Sequence, residues 1–231
     1  MKNLSELLKQ FNLEKPEDTI IKFEHFYNAL TEANKTVNLT AVTGKEEIEQ
    51  KHFIDSLAAY PHIKAGSEVL DIGAGAGFPS IPLAICLRSV HFTLVDSVGK
   101  KVSFLESIKE VLKLENVSVI KSRAEEMNKN KKYDYVLARG VAELNTLCEY
   151  CLPFVKVNGI IIAYKAQRAE EEIMNAEAAL RILSGKIEQK IPYQLCLNDE
   201  IFRRTLILIR KTKETDNKYP RSGNKPRLMP L

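Results

Sequence analysis

Cysteine is scarce in this chain. There are four in 231 residues, and only Cys148 and Cys151 stand close enough to form a C-x-x-C. No second pair and no His-x-His completes a zinc set, so no metal is expected. The pair falls in a helical pattern (Leu144, Leu147, Cys148, Cys151, Leu152), which makes core packing its first reading, with redox or metal roles as the alternatives. Cys86 and Cys196 stand alone in apolar surroundings. Long apolar runs are missing too. None approaches the ~18 residues of a membrane span. Residues 1–10 carry no secretory apolar block, so a cytoplasmic protein with no membrane contact is expected. Repeats and low-complexity segments are also absent.

Excess charge is missing from most of the chain. The formal net charge is +4, and the stretch from Lys211 onward, with six Lys/Arg against two Asp/Glu, holds all of it. A basic tail is ordinarily a solubilising end. It is also how a neutral body acquires a phosphate-binding arm.

What remains is an ordinary globular composition, 45% hydrophobic, in a length that suits one α/β domain with a small addition. Residues 1–64 read as a helical N-terminal extension. Leu4, Leu7, Leu8 and Phe11 mark a short amphipathic piece; Ile20, Phe23, Phe26, Tyr27 and Leu30 a second helix; and Ile48, Phe53, Ile54 and Leu57 a third over 45–60. From Ser67 strands and helices alternate, the pattern of a parallel α/β sheet. Strands are expected at 68–72, 91–96, 117–121, 133–138 and 160–165, with helices over 80–87, 101–114, 144–155 and 169–184. Two late runs, 186–192 and 205–210, suit a closing antiparallel pair. The sheet domain is taken as 65–211 and the tail, 212–231, as irregular and packed on or near the substrate.

The run V-L-D-I-G-A-G-A-G-F-P, 69–79, joins the first strand to its helix through Gly73, Gly75 and Gly77. Glycines serve where φ is positive or where a ligand must approach the backbone. Such a turn is a common nucleotide cradle and, equally, a common structural turn. Its spacing is G-x-G-x-G and not G-x-G-x-x-G, Asp71 lies within the motif, and the late strands leave no room for a second domain. All three favour S-adenosylmethionine over a dinucleotide. Asp96 ends the second strand about twenty residues beyond the loop, where a carboxylate meets ribose hydroxyls. An acid at a strand end is otherwise ordinary. The third strand exits into Ala124 and Glu125, candidates for the adenine edge.

The fourth strand ends in L-A-R-G-V-A, 137–142. There is no Asn/Asp-Pro-Pro-aromatic for amine methylation and no Pro-Cys for a covalent route. An acceptor with a free lone pair, such as guanine N7, needs no general base, only alignment. Arg139 is the candidate to align it, since an Arg grips an O6/N7 edge or a phosphate bidentately. The alternative reading is a plain ion pair of Arg139 with Glu143 or Asp134.

Taken together, N-L-T-A-V (38–42), H-F-I-D-S-L (52–57), D-I-G-A-G-A-G-F-P (71–79), D-S-x-x-K-K (96–101), R-A-E (123–125), A-R-G-V-A (138–142) and Y-P-R (219–221) ending in Pro-Leu are specific. The chain resembles the bacterial 16S ribosomal RNA guanine-N7 methyltransferases, the RsmG or glucose-inhibited division protein B family. The resemblance implies a Rossmann-like class I methyltransferase fold with a seven-stranded, mostly parallel sheet. It implies cofactor contacts at Gly73, Phe78, Ala124, Glu125 and Arg139, and methyl transfer to a guanine of 16S RNA or the small subunit. Two positions depart from it: Y-K-A-Q follows the fifth strand, and Arg227 stands where a lysine is usual.

Asn38 and Thr40 lie in a polar turn, and His52, Asp55 and Ser56 share one side of a helix. Capping and inter-element contacts explain them as well as an acceptor pocket does. Lys100, Lys101, Lys165, Arg221, Lys225 and Arg227 are each a solvated charge taken singly and an RNA route taken together, with Tyr219 to stack on a base. A monomer is expected. A small-molecule methyltransferase and a non-catalytic ribosome-binding protein stay open as alternatives.

Overall fold

The computed structural model describes residues 1–11, 13 and 16–231. Seven strands form one sheet: β1 (Glu68–Ile72), β2 (His91–Asp96), β3 (Val117–Lys121), β4 (Tyr133–Arg139), β5 (Val155–Lys165), β6 (Gly185–Leu197) and β7 (Glu200–Lys211). The order is β3-β2-β1-β4-β5-β7-β6. The first five strands run parallel, and β7 is antiparallel to both β5 and β6. The central strand β1 is buried from Val69 to Ile72, as a near-continuous apolar run covered on both faces must be.

One face of the sheet packs on α5 (Ser80–Cys86) and α6 (Gly99–Val111); α2 (Pro16–Val37) lies over these two helices, and α1 (Lys2–Leu8) packs on residues 49–54. The other face packs on α7 (Leu144–Cys151), α8 (Ala169–Asn175) and α9 (Glu177–Leu183). Phe23, Phe26, Phe53 and Phe78 join the N-terminal helices to the glycine-loop side of the sheet in a single apolar cluster. Strand order reverses between β1 and β4, so the crevice for a ligand opens at the carboxyl ends of these strands.

Three elements differ from the sequence reading. The expected third helix is α3 (Lys45–Ile48) and α4 (Asp55–Leu57), joined by a π-helical stretch (Glu49–Ile54). The wider turn leaves Ile54 only half-buried while it buries Phe53. The helix expected over 169–184 divides at Ala176, which is fully buried, and ends where Ser184 turns left-handed at φ 63°. The late pair is far longer than 186–192 and 205–210. It pairs from Gly185 with Lys211 out to Leu197 with Glu200, with a register shift between Ile187 and Gln189 that hid the alternation.

The tail is no free arm. Tyr219 is 7% exposed, inside the α7-side core, so its ring is not available to stack on a base. Arg221 grips Glu149 of α7 through Nε and Nη2 at 2.8 and 2.6 Å, and that carboxylate is wholly buried. The Pro226 carbonyl accepts from Thr146 Oγ1 at 3.0 Å, at the short α10 (Lys225–Leu228). Cys148 and Cys151 are fully buried on α7, and burial pushes the Cys148 thiol up to about 12 and raises Cys151 well above the ordinary thiol value.

Candidate active site

Two cavities meet at the carboxyl ends of β1 and β4. The first, about 310 Å³, is lined by Gly73, Asp96, Lys101, Ala124, Glu125 and Arg227, among others. The glycine loop enters it through Gly73. The N–H groups of Gly73 and Ala74 both donate to the Val95 carbonyl, at 2.8 and 3.0 Å. Gly75 N–H donates to Asp96 Oδ2, and Val98 N–H donates to Asp96 Oδ1, each at 2.9 Å. The Asp96 carboxylate is thereby aimed by two amides, with further lone pairs for a ligand. Gly73 has φ 75°, and a Cβ there would stand 2.8 Å from Val141 Cγ2. Gly77 has φ 93°, and its Cβ would stand 2.6 Å from Ile81 Cγ1. The first is tight against the cavity wall and the second against α5.

Asp71 lies behind the loop, fully buried, and neither carboxylate oxygen has a hydrogen-bond partner among the described residues. Burial pushes it up to about 7, against the pull of Ser80 and the Arg139 charge. Gly73 offers backbone at the cavity wall with no Cβ, Asp96 an oriented carboxylate, and Glu125 a side chain only 6% exposed beside Ala124. That set fits a nucleoside carrying an amino-acid end.

The second cavity, about 550 Å³, shares Gly140 and Val141 with the first and is lined also by Lys51, His52, Asp55, Arg139, Tyr164, Lys165 and Arg204. Arg139 is its hub. Nη1 donates to Asp55 Oδ2 at 2.7 Å and to the Lys51 carbonyl at 3.1 Å, and Nη2 lies 3.2 Å from His52 Nδ1. Phe78 backs this group: the His52 ring stacks on it at 4.4 Å, and the Arg139 guanidinium sits 5.1 Å from its centroid. Asp55 is 4% exposed and also accepts from the Tyr193 hydroxyl at 2.7 Å, while Arg204 Nε stands 3.7 Å away. Burial first, and the Arg139 charge second, depress His52 to about 4, so the ring is neutral near pH 7.

The structure therefore distributes the expected site residues unevenly. Gly73, Asp96, Ala124, Glu125, Lys101 and Arg227 line the first cavity, and His52, Arg139 and Lys165 the second. Gly75 and Gly77 shape the loop, with Asp71 beneath it, and Phe78 sits under His52. Glu143 and Asp134, the expected partners of Arg139, are bound elsewhere, to Arg168 and Lys156. Lys165 is 8% exposed and held by Glu172 at 2.5 Å and the Ala142 carbonyl at 2.8 Å, so it cannot reach a phosphate as it stands. Asn38 follows α2 in the left-handed conformation, φ 48°, a capping role at the helix C-terminus. Lys100 and Lys225 are exposed. Sequence reading missed Tyr193 and Arg204. The alternation Ile191, Tyr193, Leu195 would have put Tyr193 on the inner face, had the strand been read past Pro192.

A 3-2-1-4-5-7-6 sheet with a glycine loop after β1 and an aimed carboxylate after β2 is the class I methyltransferase fold. Solved structures agree. The M. jannaschii TYW2 structure in complex with AdoMet aligns at TM-score 0.56 and 17% identity, over 69% of this chain and 76% of that one. A putative methyltransferase from Thermoplasma acidophilum aligns at 0.55 and 13%, over 66% and 71%. Sequence then narrows the class. Residues 19–197 match the GidB family, rRNA small subunit methyltransferase G. Ribosomal RNA small subunit methyltransferase G of Lachnoclostridium phytofermentans is 43% identical over 97% of this chain and 94% of its own length. The Bacillus subtilis protein of that name is 42% identical over 91% and 90%. The chain belongs to the rRNA small subunit methyltransferase G family.

Proposed function

We propose that this protein transfers a methyl group from S-adenosylmethionine to N7 of a guanine in 16S ribosomal RNA. One observation carries the reading: two cavities, one suited to a nucleoside and one to an acceptor, adjoin at Gly140 and Val141, with Arg139 lining the second beside them. S-adenosylmethionine, when bound, supplies the sulfonium methyl for an in-line displacement.

The chain's own residues supply position and exclude other chemistry. Asp96 takes the ribose hydroxyls, Ala124 and Glu125 the adenine edge, and the backbone at Gly73 the amino-acid end. Guanine N7 carries a free lone pair, so no base must remove a proton first. His52, whose basicity burial lowers to about 4, and buried thiols with raised pKa values suit a reaction with neither a general base nor a covalent intermediate. Arg139 holds the acceptor by its O6 edge or a phosphate, from the guanidinium edge not taken by Asp55. Lys101 and Arg227, which line the first cavity with Arg123, and the exposed Lys100 and Lys225 take RNA phosphates. The test is incubation of the purified chain with 16S RNA and labelled cofactor, followed by nucleoside digestion. The reading predicts label in 7-methylguanosine. Label confined to any other nucleoside rejects it.

A further inference from the structure

A chain of side chains leads from α2 to Arg139, and its first two members have no part in the site described above. Asn34 and Thr40 are clamped in both directions: Asn34 Nδ2 donates to the Thr40 carbonyl, and Thr40 N–H donates to Asn34 Oδ1, each at 2.9 Å. The clamp fixes the loop that follows α2. Within it Thr40 Oγ1 accepts from Val42 N–H at 3.0 Å and lies 2.7 Å from His52 Nε2. On the ring's other side, Nδ1 lies 3.2 Å from Arg139 Nη2.

The chemistry assigns the protons. A guanidinium only donates, so a hydrogen bond from Arg139 requires the Nδ1 lone pair, and the proton of the neutral ring is then on Nε2, directed at Thr40 Oγ1. The Lys51 carbonyl, 3.1 Å from Nδ1, already accepts from Arg139 Nη1 and is the one acceptor that competes for a proton on Nδ1. With the other tautomer an N–H would face the guanidinium, and Nε2 would have to take its proton from Thr40. Phe78 backs the plane of the ring, and Thr40, its Oγ1 already accepting from Val42 N–H, anchors the Nε2 end.

We propose that Thr40, held by Asn34, is a positioning residue for methyl transfer. It locks His52 in the Nε2–H tautomer, and the lone pair so exposed at Nδ1 sets the orientation of Arg139. This inference rests on the proposed role of Arg139, but its first readout does not.

The experiment uses the full-length chain labelled with ¹⁵N and records the His52 imidazole nitrogens near pH 7. The Nε2–H tautomer is expected in the parent protein. Thr40→Val, of equal size and without the acceptor, is expected to give a mixed or reversed tautomer. It should also lower kcat for RNA by about 10- to 100-fold with little change in cofactor KM. Thr40→Ser keeps the hydroxyl and should return both values toward the parent. Asn34→Ala should fall between. The inference is overturned if the parent ring carries its proton on Nδ1, or if Thr40→Val leaves both tautomer and kcat unchanged. It is overturned equally if Thr40→Ser behaves as Thr40→Val does. Should the parent transfer no methyl to RNA while the tautomer still follows Thr40, the lock stands and the proposed reaction fails.

Discussion

Arg139 is tied to three protein partners, which separates its charge from its shape. Arg139→Lys keeps a cation beside buried Asp55 but loses the planar fork that spans Asp55, Lys51 and His52. Methyl transfer to RNA should fall by about 100-fold while the melting temperature moves little. Transfer at the parent rate would remove the fork from the mechanism. Gly73 and Gly77 make a second pair at this scale. Gly73→Ala drives a Cβ toward Val141 on the wall between the cavities, at a backbone angle costing about 1–3 kcal/mol. Calorimetry should show S-adenosylmethionine binding weakened at least tenfold. Gly77→Ala strikes Ile81 of α5 instead and should lower stability more than it lowers affinity for folded protein.

At the scale of elements, the tail and α7 act as one unit through Arg221 and Glu149. Arg221→Ala leaves a wholly buried carboxylate without its guanidinium, and denaturant unfolding should show a loss of about 3–5 kcal/mol. A loss near zero, with weaker RNA binding, would return Arg221 to the RNA-contacting role that sequence alone suggested. The elements also show what was legible. β1, β2 and β3 agree with the reading to the residue, because each is a short apolar run bounded by turn residues or by an acid. The π turn at Glu49–Ile54 was not legible: one inserted residue leaves a helical pattern nearly unchanged while it redirects His52 and Asp55 together toward Arg139. The length of β6 and β7 was hidden by a register shift and by Pro192, and with it went Tyr193 and Arg204 as neighbours of Asp55. Gly73, Asp96, Ala124 and Glu125, named from sequence as cofactor candidates, line one cavity, because each stands at or just beyond the end of a strand that was legible locally. The acceptor side is assembled from α2, the π turn, β4 and the hairpin, whose contacts span up to 138 positions, as in Tyr193 with Asp55.

For the whole molecule, two buried groups set opposing dependences on pH. His52 is depressed from 6.5 to about 4, so its contribution to stability is present above pH 6.5 and lost as pH falls through 4. Asp71 is raised from 3.8 to about 7, so its contribution is present below 3.8 and lost as pH rises through 7. Between about 4 and 6.5 the unfolded chain binds the extra proton at His52 and the folded chain binds it at Asp71, so the two slopes cancel. Asp71→Asn should expose the His52 slope, with stability rising by about 2–3 kcal/mol over that window. His52→Gln should expose the opposite one. Urea titrations at several pH values read both, and parallel curves for parent and variants would contradict the account. Binding of RNA should weaken linearly with the logarithm of salt. Replacing Lys100, Lys101 or Lys225 should lower that slope by about 0.7 each.

The central claim is most directly tested on RNA taken from cells. 16S RNA from strains with and without the gene is treated with mild base and aniline, which break the strand at 7-methylguanosine, and the ends are mapped by primer extension. The account predicts one cleavage site present with the gene and absent without it, restored by the parent sequence and not by Arg139→Lys. Identical cleavage patterns in the two strains would contradict it.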